Sequence, residues 1–152
     1  MFSAALILLL AAAPAAEAWN MSACFVPQAN GGISALAYIG DRACVPLGPA
    51  TEMDGVWLNA FEGSKFIANK SDIGDRPAGI PAVWLTVDEK TVWPSGSNSA
   101  TRNRAYRIKF VGRYAKDMNR RPSEGYGHLS MSPGLVMVDR VLEIVDIGPT
   151  AN

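Results

Sequence analysis

From Tyr106 to Val111 apolar and polar side chains alternate, with Tyr106, Ile108 and Phe110 interleaved among Arg107, Lys109 and Val111. A period of two is the repeat of a β-strand, and it sends one set of side chains into a core and the other largely into water. Val83, Leu85 and Val87 interleave with Trp84 and Thr86 in the same way, and that run stops at Asp88 and Glu89. Residues 135–147 are rich in Val, Ile and Leu and form the longest expected strand. The adjacent pair Asp139-Arg140 breaks its alternation, as happens at a bulge. Further strands are expected over 56–67, interrupted at Gly63-Ser64, and over 33–45, broken at Gly40-Asp41. Fourteen Gly and ten Pro are scattered between these segments and leave no room for long helices. About five strands with such punctuation describe an all-β domain, a small barrel or sandwich. Its polar connections at 68–81, 89–104 and 115–127 include long ones, which points to functional loops or to poorly ordered excursions.

The N-terminus has a different character. An apolar stretch from Ala4 to Ala13 is followed by Pro14 and by Ala16-Glu17-Ala18. This is the pattern of a secretory signal helix with an A-x-A cleavage site, although Lys and Arg are missing from its start. Cleavage after Ala18 is expected to leave residues 19–152 as a single exported domain, periplasmic or extracellular, with no later run long enough to span a membrane. Met21-Ser22-Ala23-Cys24 faintly resembles a lipoprotein box, but Glu17, Trp19 and Asn20 interrupt the apolar run before it. Asn20 and Asn69 open glycosylation sequons, which matter only in a eukaryotic host.

Cys24 and Cys44 are the two cysteines. In an oxidising compartment they are expected to form a disulfide, closing a loop of about twenty residues and worth roughly 3 kcal/mol. No CxxC spacing or neighbouring His supports metal binding by this pair. Acidic and basic residues number fourteen each, a balance that argues against a dedicated polyanion binder.

Several segments together resemble a known type of protein. They are Asp54-Gly55-Val56-Trp57-Leu58-Asn59-Ala60-Phe61-Glu62-Gly63-Ser64-Lys65-Phe66, Tyr106 to Arg113, Gly125-Tyr126-Gly127-His128-Leu129, and Val138 to Leu142. They look like small exported bacterial proteins of unassigned function whose domain resembles an oligonucleotide/oligosaccharide-binding (OB) barrel. The likeness covers about half the sequence and implies a fold more than an activity. One departure stands out. An OB barrel usually carries a helix between its third and fourth strands, and the interval taken for it here, 115–134, is loaded with Gly and Pro and holds one turn at most.

His128 is the only histidine. It would serve as a general base or metal ligand, or, as a lone His between glycines, would hydrogen-bond a backbone group and lock its loop. No Gly-x-Ser-x-Gly elbow, Cys–His signature or phosphate-cradling glycine pattern is present. Ser64 and Lys65 are adjacent on a strand, so they point to opposite faces. Met118, Met131 and Met137 with His128 offer soft ligands for Cu(I), though methionines ordinarily fill core gaps. Arg113, Lys116, Arg120 and Arg121 form a basic cluster near Tyr114 and Tyr126, which suits an anionic glycan or headgroup better than nucleic acid in an exported protein. Trp57, Phe61, Phe66, Trp84 and Trp93 supply either core or an aromatic platform. The reading that results is a non-catalytic binding or envelope-accessory module without a cofactor. Its ligand-binding residues would be Trp57, Trp84, Arg113, Tyr126 and His128, and its partner a glycan, a peptide or an envelope component. The alternatives are a small hydrolase pairing His128 with an acid such as Asp139, and a copper-binding protein.

Overall fold

A computed structural model describes residues 25–30, 33–38, 42–74, 82–96 and 100–150. The expected signal segment lies outside these residues. Seven strands occur in sequence order: β1 (Phe25–Asn30), β2 (Ile33–Tyr38), β3 (Thr51–Ala60), β4 (Gly63–Ala68), β5 (Val83–Thr86), β6 (Arg104–Tyr114) and β7 (Leu135–Pro149). β1 and β2 pair as a separate two-stranded hairpin, and the other five close into a barrel in the order β3-β4-β5-β7-β6. All its neighbours are antiparallel except β5 and β7, which run parallel. Numbered within the barrel, the order is first, second, third, fifth, fourth. The domain is an all-β, OB-like barrel.

The alternation in the sequence becomes the two faces of this barrel. Ile108 and Phe110 of β6, Val83 and Leu85 of β5, and Trp57 and Phe66 of the β3–β4 hairpin all enter one core. Phe66 meets Phe110 edge to face at 5.1 Å, and Trp57 lies 5.6 Å from Tyr106. Such pairs add about 0.5–1.5 kcal/mol each to what their buried area contributes. β7 bulges where Asp139 is passed over, since Val111 pairs with Arg140 but Gly112 with Val138. The charged pair thus marks the break that the sequence led one to expect.

Three expectations are corrected. The interrupted strand over 56–67 is a hairpin that turns at Phe61-Glu62, and Gly63 begins β4 rather than breaking it. The strand expected over 33–45 ends at Tyr38 and lies outside the barrel, and a 3-10 turn follows at Arg42–Cys44. The interval 115–134 joins the fourth and fifth barrel strands. The third-to-fourth connection is residues 87–103, which has no helix among its described residues and instead packs Trp93 and Ala100 against the core.

The start of β7 is buried on both faces. Val136 and Val138 face the barrel core, while Leu135 and Met137 join Cys44, Val45, Ala115 and Tyr126 in a second, smaller core. That second core is roofed by the segment after the Arg42–Cys44 turn and by the 115–134 loop. Among the described residues no disulfide is formed; Cys24, the expected partner of Cys44, lies outside them. β2 runs alongside a second 3-10 turn, at His128–Ser130.

Arg42 fastens the N-terminal segment to the barrel. Its guanidinium holds Asp88 with Nε on Oδ2 at 2.7 Å and Nη2 on Oδ1 at 3.1 Å. Nη1 donates to Asp139 at the β7 bulge, and Nη2 donates to the Val138 carbonyl at 2.5 Å. Arg113 takes the other oxygen of Asp139 at 2.9 Å. Burial pushes the Asp88 carboxyl up. The hydrogen bonds and charge of Arg42, with the Lys90 amide and the Thr91 hydroxyl, outweigh it and hold the group below its ordinary value.

Candidate functional site

Residues of four elements meet on the outer face of β4 and β5. Lys65 of β4 is the cross-strand partner of Trp84 of β5, so both side chains point away from the core. The β3–β4 turn adds Glu62, and the 115–134 loop adds His128, Leu129 and Met131. Together they line a cleft of about 330 Å³, within the range of small-ligand sites. A second hollow, of about 370 Å³ beside β3 and β4, has no aromatic side chain in its lining.

The loop wall of this cleft is built rather than slack. Tyr126 and Ser132 exchange backbone hydrogen bonds at 2.8 and 3.0 Å, and the Gly125 amide donates to the Ser130 carbonyl at 2.9 Å. The Tyr126 ring is buried, with its hydroxyl donating to the Asp117 carbonyl at 2.8 Å. The Trp84 amide donates to the Gly134 carbonyl at 2.8 Å, which ties loop to barrel. Gly127 takes φ 69 and ψ −157 and lies flat against the indole of Trp84. Leu129 and Ser130 follow with φ of 52 and 56, a left-handed conformation that non-glycine residues adopt only when their surroundings impose it. Leu129 is left 73% exposed and Met131 57%.

The residues expected at a site therefore separate. Trp84 and His128 line the cleft. Trp57 is buried, with its indole N–H donating to the Ser64 hydroxyl at 2.9 Å, and Ser64 donates onward to the Leu85 carbonyl. Tyr126 is core to the loop. Arg113 is engaged with Asp139. Arg120 pairs with Asp117 at 3.2 Å and lies over the Tyr126 ring at 5.4 Å, so half of the expected basic cluster is spent on local contacts. Lys65, Glu62 and Leu129 also line the cleft and were not singled out from the sequence as ligand-binding residues, and Met131, considered there only as a copper ligand, lines it with them. Lys65 was legible as the outward neighbour of the buried Phe66.

His128 faces Glu62, with Nε2 3.7 Å from Oε2 and a side chain 43% exposed. Among the described residues its ring makes no hydrogen bond to a backbone group, the anchor the sequence suggested, and a pair this open contributes little to stability. Asp139, the acid expected beside it for hydrolysis, is held by Arg42 and Arg113. Of the three methionines considered with it, Met137 and Met118 belong to the hydrophobic cores, and Met131 alone shares the cleft. Among the described residues no group of three or more His, Cys, Asp and Glu side chains is placed to hold a metal. Comparison of the sequence and fold with protein-family models, with curated proteins and with solved structures gave no match.

Proposed function

We propose that this protein is a non-catalytic binding module of the secreted or periplasmic space and that the cleft over β4 and β5 holds its ligand. The observation that carries the reading is the half-buried Trp84, backed by Gly127 and flanked by Leu129 and Met131 on a loop fixed by its own hydrogen bonds. Large apolar side chains held out to water on a constrained backbone cost the free protein stability, and binding is the event that recovers it. A wall already ordered loses little conformational entropy when a ligand arrives. The position also fits the architecture. On OB-like barrels the face of the second and third strands, with the first-to-second and fourth-to-fifth loops, is the usual ligand face, which supports the reading by analogy of fold. The apolar run at Ala4 to Ala13 supports export.

The test is a titration of the isotope-labelled protein with three classes of probe: short apolar peptides, neutral oligosaccharides and oligothymidylate. At least one class is expected to shift the Trp84 indole and Met131 methyl signals, and Trp84→Ala is expected to weaken that binding about tenfold or more. If no class moves these signals, or if Trp84→Ala leaves affinity intact, the reading fails.

A further inference from the structure

Resting on that reading of the cleft, we infer that its ligand is a peptide segment bearing an apolar side group next to a carboxylate. The Lys65 ammonium calls for the carboxylate. Glu62 faces His128 across the mouth of the cleft, and Arg102 lies over the ring of Phe61 at 5.7 Å. The Lys65 ammonium has neither an ion pair nor a hydrogen bond among the described residues, and it projects beside Trp84. An ammonium in that position, next to an apolar wall, is matched by an anionic oxygen of the ligand.

The lining calls for the apolar group. Around Trp84 the cleft presents Leu129, Met131, Pro133 and Ala82, while the Ser132 hydroxyl is already donated to the Gly134 carbonyl at 2.9 Å. A sugar ring stacked on the indole would turn part of its hydroxyl rim to aliphatic carbon and a thioether, with Glu62, Lys65 and His128 left to pair the rest. A nucleic-acid strand calls for a row of cations along its phosphates, and this cleft has one lysine. An aliphatic or aromatic side group suits the lining, and the unbranched Met131 can adjust to its shape.

The carboxylate could come from a peptide C-terminus or from an acidic residue, and three peptides distinguish these sources. One is acetyl-Ala-Ala-Leu-Phe with a free C-terminus, the second is the same peptide amidated, and the third is acetyl-Ala-Leu-Phe-Asp amide. Binding is read from the Trp84 indole and Met131 methyl signals. The first peptide, the third or both are expected to bind about tenfold or more tightly than the second. Lys65→Ala is expected to abolish that preference and Lys65→Arg to keep it. Binding by the free-acid peptide alone identifies a C-terminus as the ligand group, and binding by both acids identifies any carboxylate. Equal affinity for the amidated peptide, or a preference that survives in Lys65→Ala, overturns the inference. If an oligosaccharide or oligothymidylate moves the same signals and no peptide does, the inference fails while the binding reading stands. Silence from every probe removes both.

Discussion

Arg42→Ala is expected to lower stability by about 2–3 kcal/mol at neutral pH, between the small worth of exposed ion pairs and the large cost of breaking buried ones. The intermediate figure follows from the setting: the side chains of Arg42, Asp88 and Asp139 are 18%, 22% and 21% exposed. Removing the guanidinium takes a two-pronged partner from Asp88 and leaves Asp139 with Arg113 alone. It also removes a donor from the Val138 carbonyl, which keeps the Thr91 hydroxyl at 2.9 Å. For a domain of this size the loss corresponds to a fall in melting temperature of roughly 6–12 °C. Arg42→Lys should recover only part of it, because an ammonium cannot reproduce the fork. The effect depends on pH with a definite sign. The Asp88 carboxyl is held below its ordinary value in the folded protein. Its contribution is therefore complete above the unfolded aspartate range, near about pH 4, and is lost as pH falls through the lower folded value. Urea unfolding from pH 7 to pH 3 should show a gap between wild type and Arg42→Ala that is full at pH 7 and narrows below about pH 4. Equal midpoints at pH 7 would show that the clip does not hold the segment.

Gly127→Ala is expected to cost about 2–4 kcal/mol and to disturb the cleft at the same time. Two causes add. The backbone dihedrals, φ 69 and ψ −157, lie in a region open essentially to glycine alone. A Cβ at this position would also stand 2.1 Å from Cε3 and 2.2 Å from Cδ2 of Trp84, far inside contact distance, so the loop or the indole must move. Gly96→Ala separates the two causes. Gly96 has φ 86 but nothing within 4 Å of the added carbon, so its substitution should cost only about 1 kcal/mol, from dihedral strain. Thermal unfolding combined with acrylamide quenching of tryptophan fluorescence reads both effects. Gly127→Ala should melt well below Gly96→Ala and expose Trp84 to quencher. Similar losses in the two variants would mean that the close approach of Gly127 to the indole is absent in solution.

The parts of this fold that were legible in the sequence are those governed by neighbours along the backbone. Alternation along Tyr106 to Phe110 and along Val83 to Leu85 reports two faces directly, and the Asp139-Arg140 pair interrupts an apolar run where β7 bulges. The register of β7 shifts again past Leu142 and past Ile147, but these are single apolar residues with no paired charge to mark the break. Leu135 to Val138 read as a continuous apolar run, consistent with burial on both faces. Nothing local says that the outer face is covered by Cys44, Val45 and Tyr126. The contribution of Arg42 was invisible for a related reason. Its partners are 46 and 97 residues further along the sequence, and a lone arginine carries no signal of them. At the site, the outward face of Trp84 followed from strand alternation, whereas the burial of Trp57 and Tyr126 depends on pairing and loop packing. The long 115–134 loop was legible as long, but its order comes from hydrogen bonds among Gly125, Tyr126, Ser130 and Ser132 that composition does not encode.

The cleft exists only if that loop is a fixed wall in the free protein. Native-state hydrogen exchange tests this most directly. The amides of Arg120, Gly125, Tyr126 and Ser132 are bonded to the carbonyls of Pro133, Ser130, Ser132 and Tyr126. Without any ligand they should exchange at least about 100-fold more slowly than in an unstructured peptide, as part of the same cooperative unit as β6. Exchange of these four amides at unprotected rates, with the barrel amides still slow, would show that the cleft does not exist before its ligand arrives.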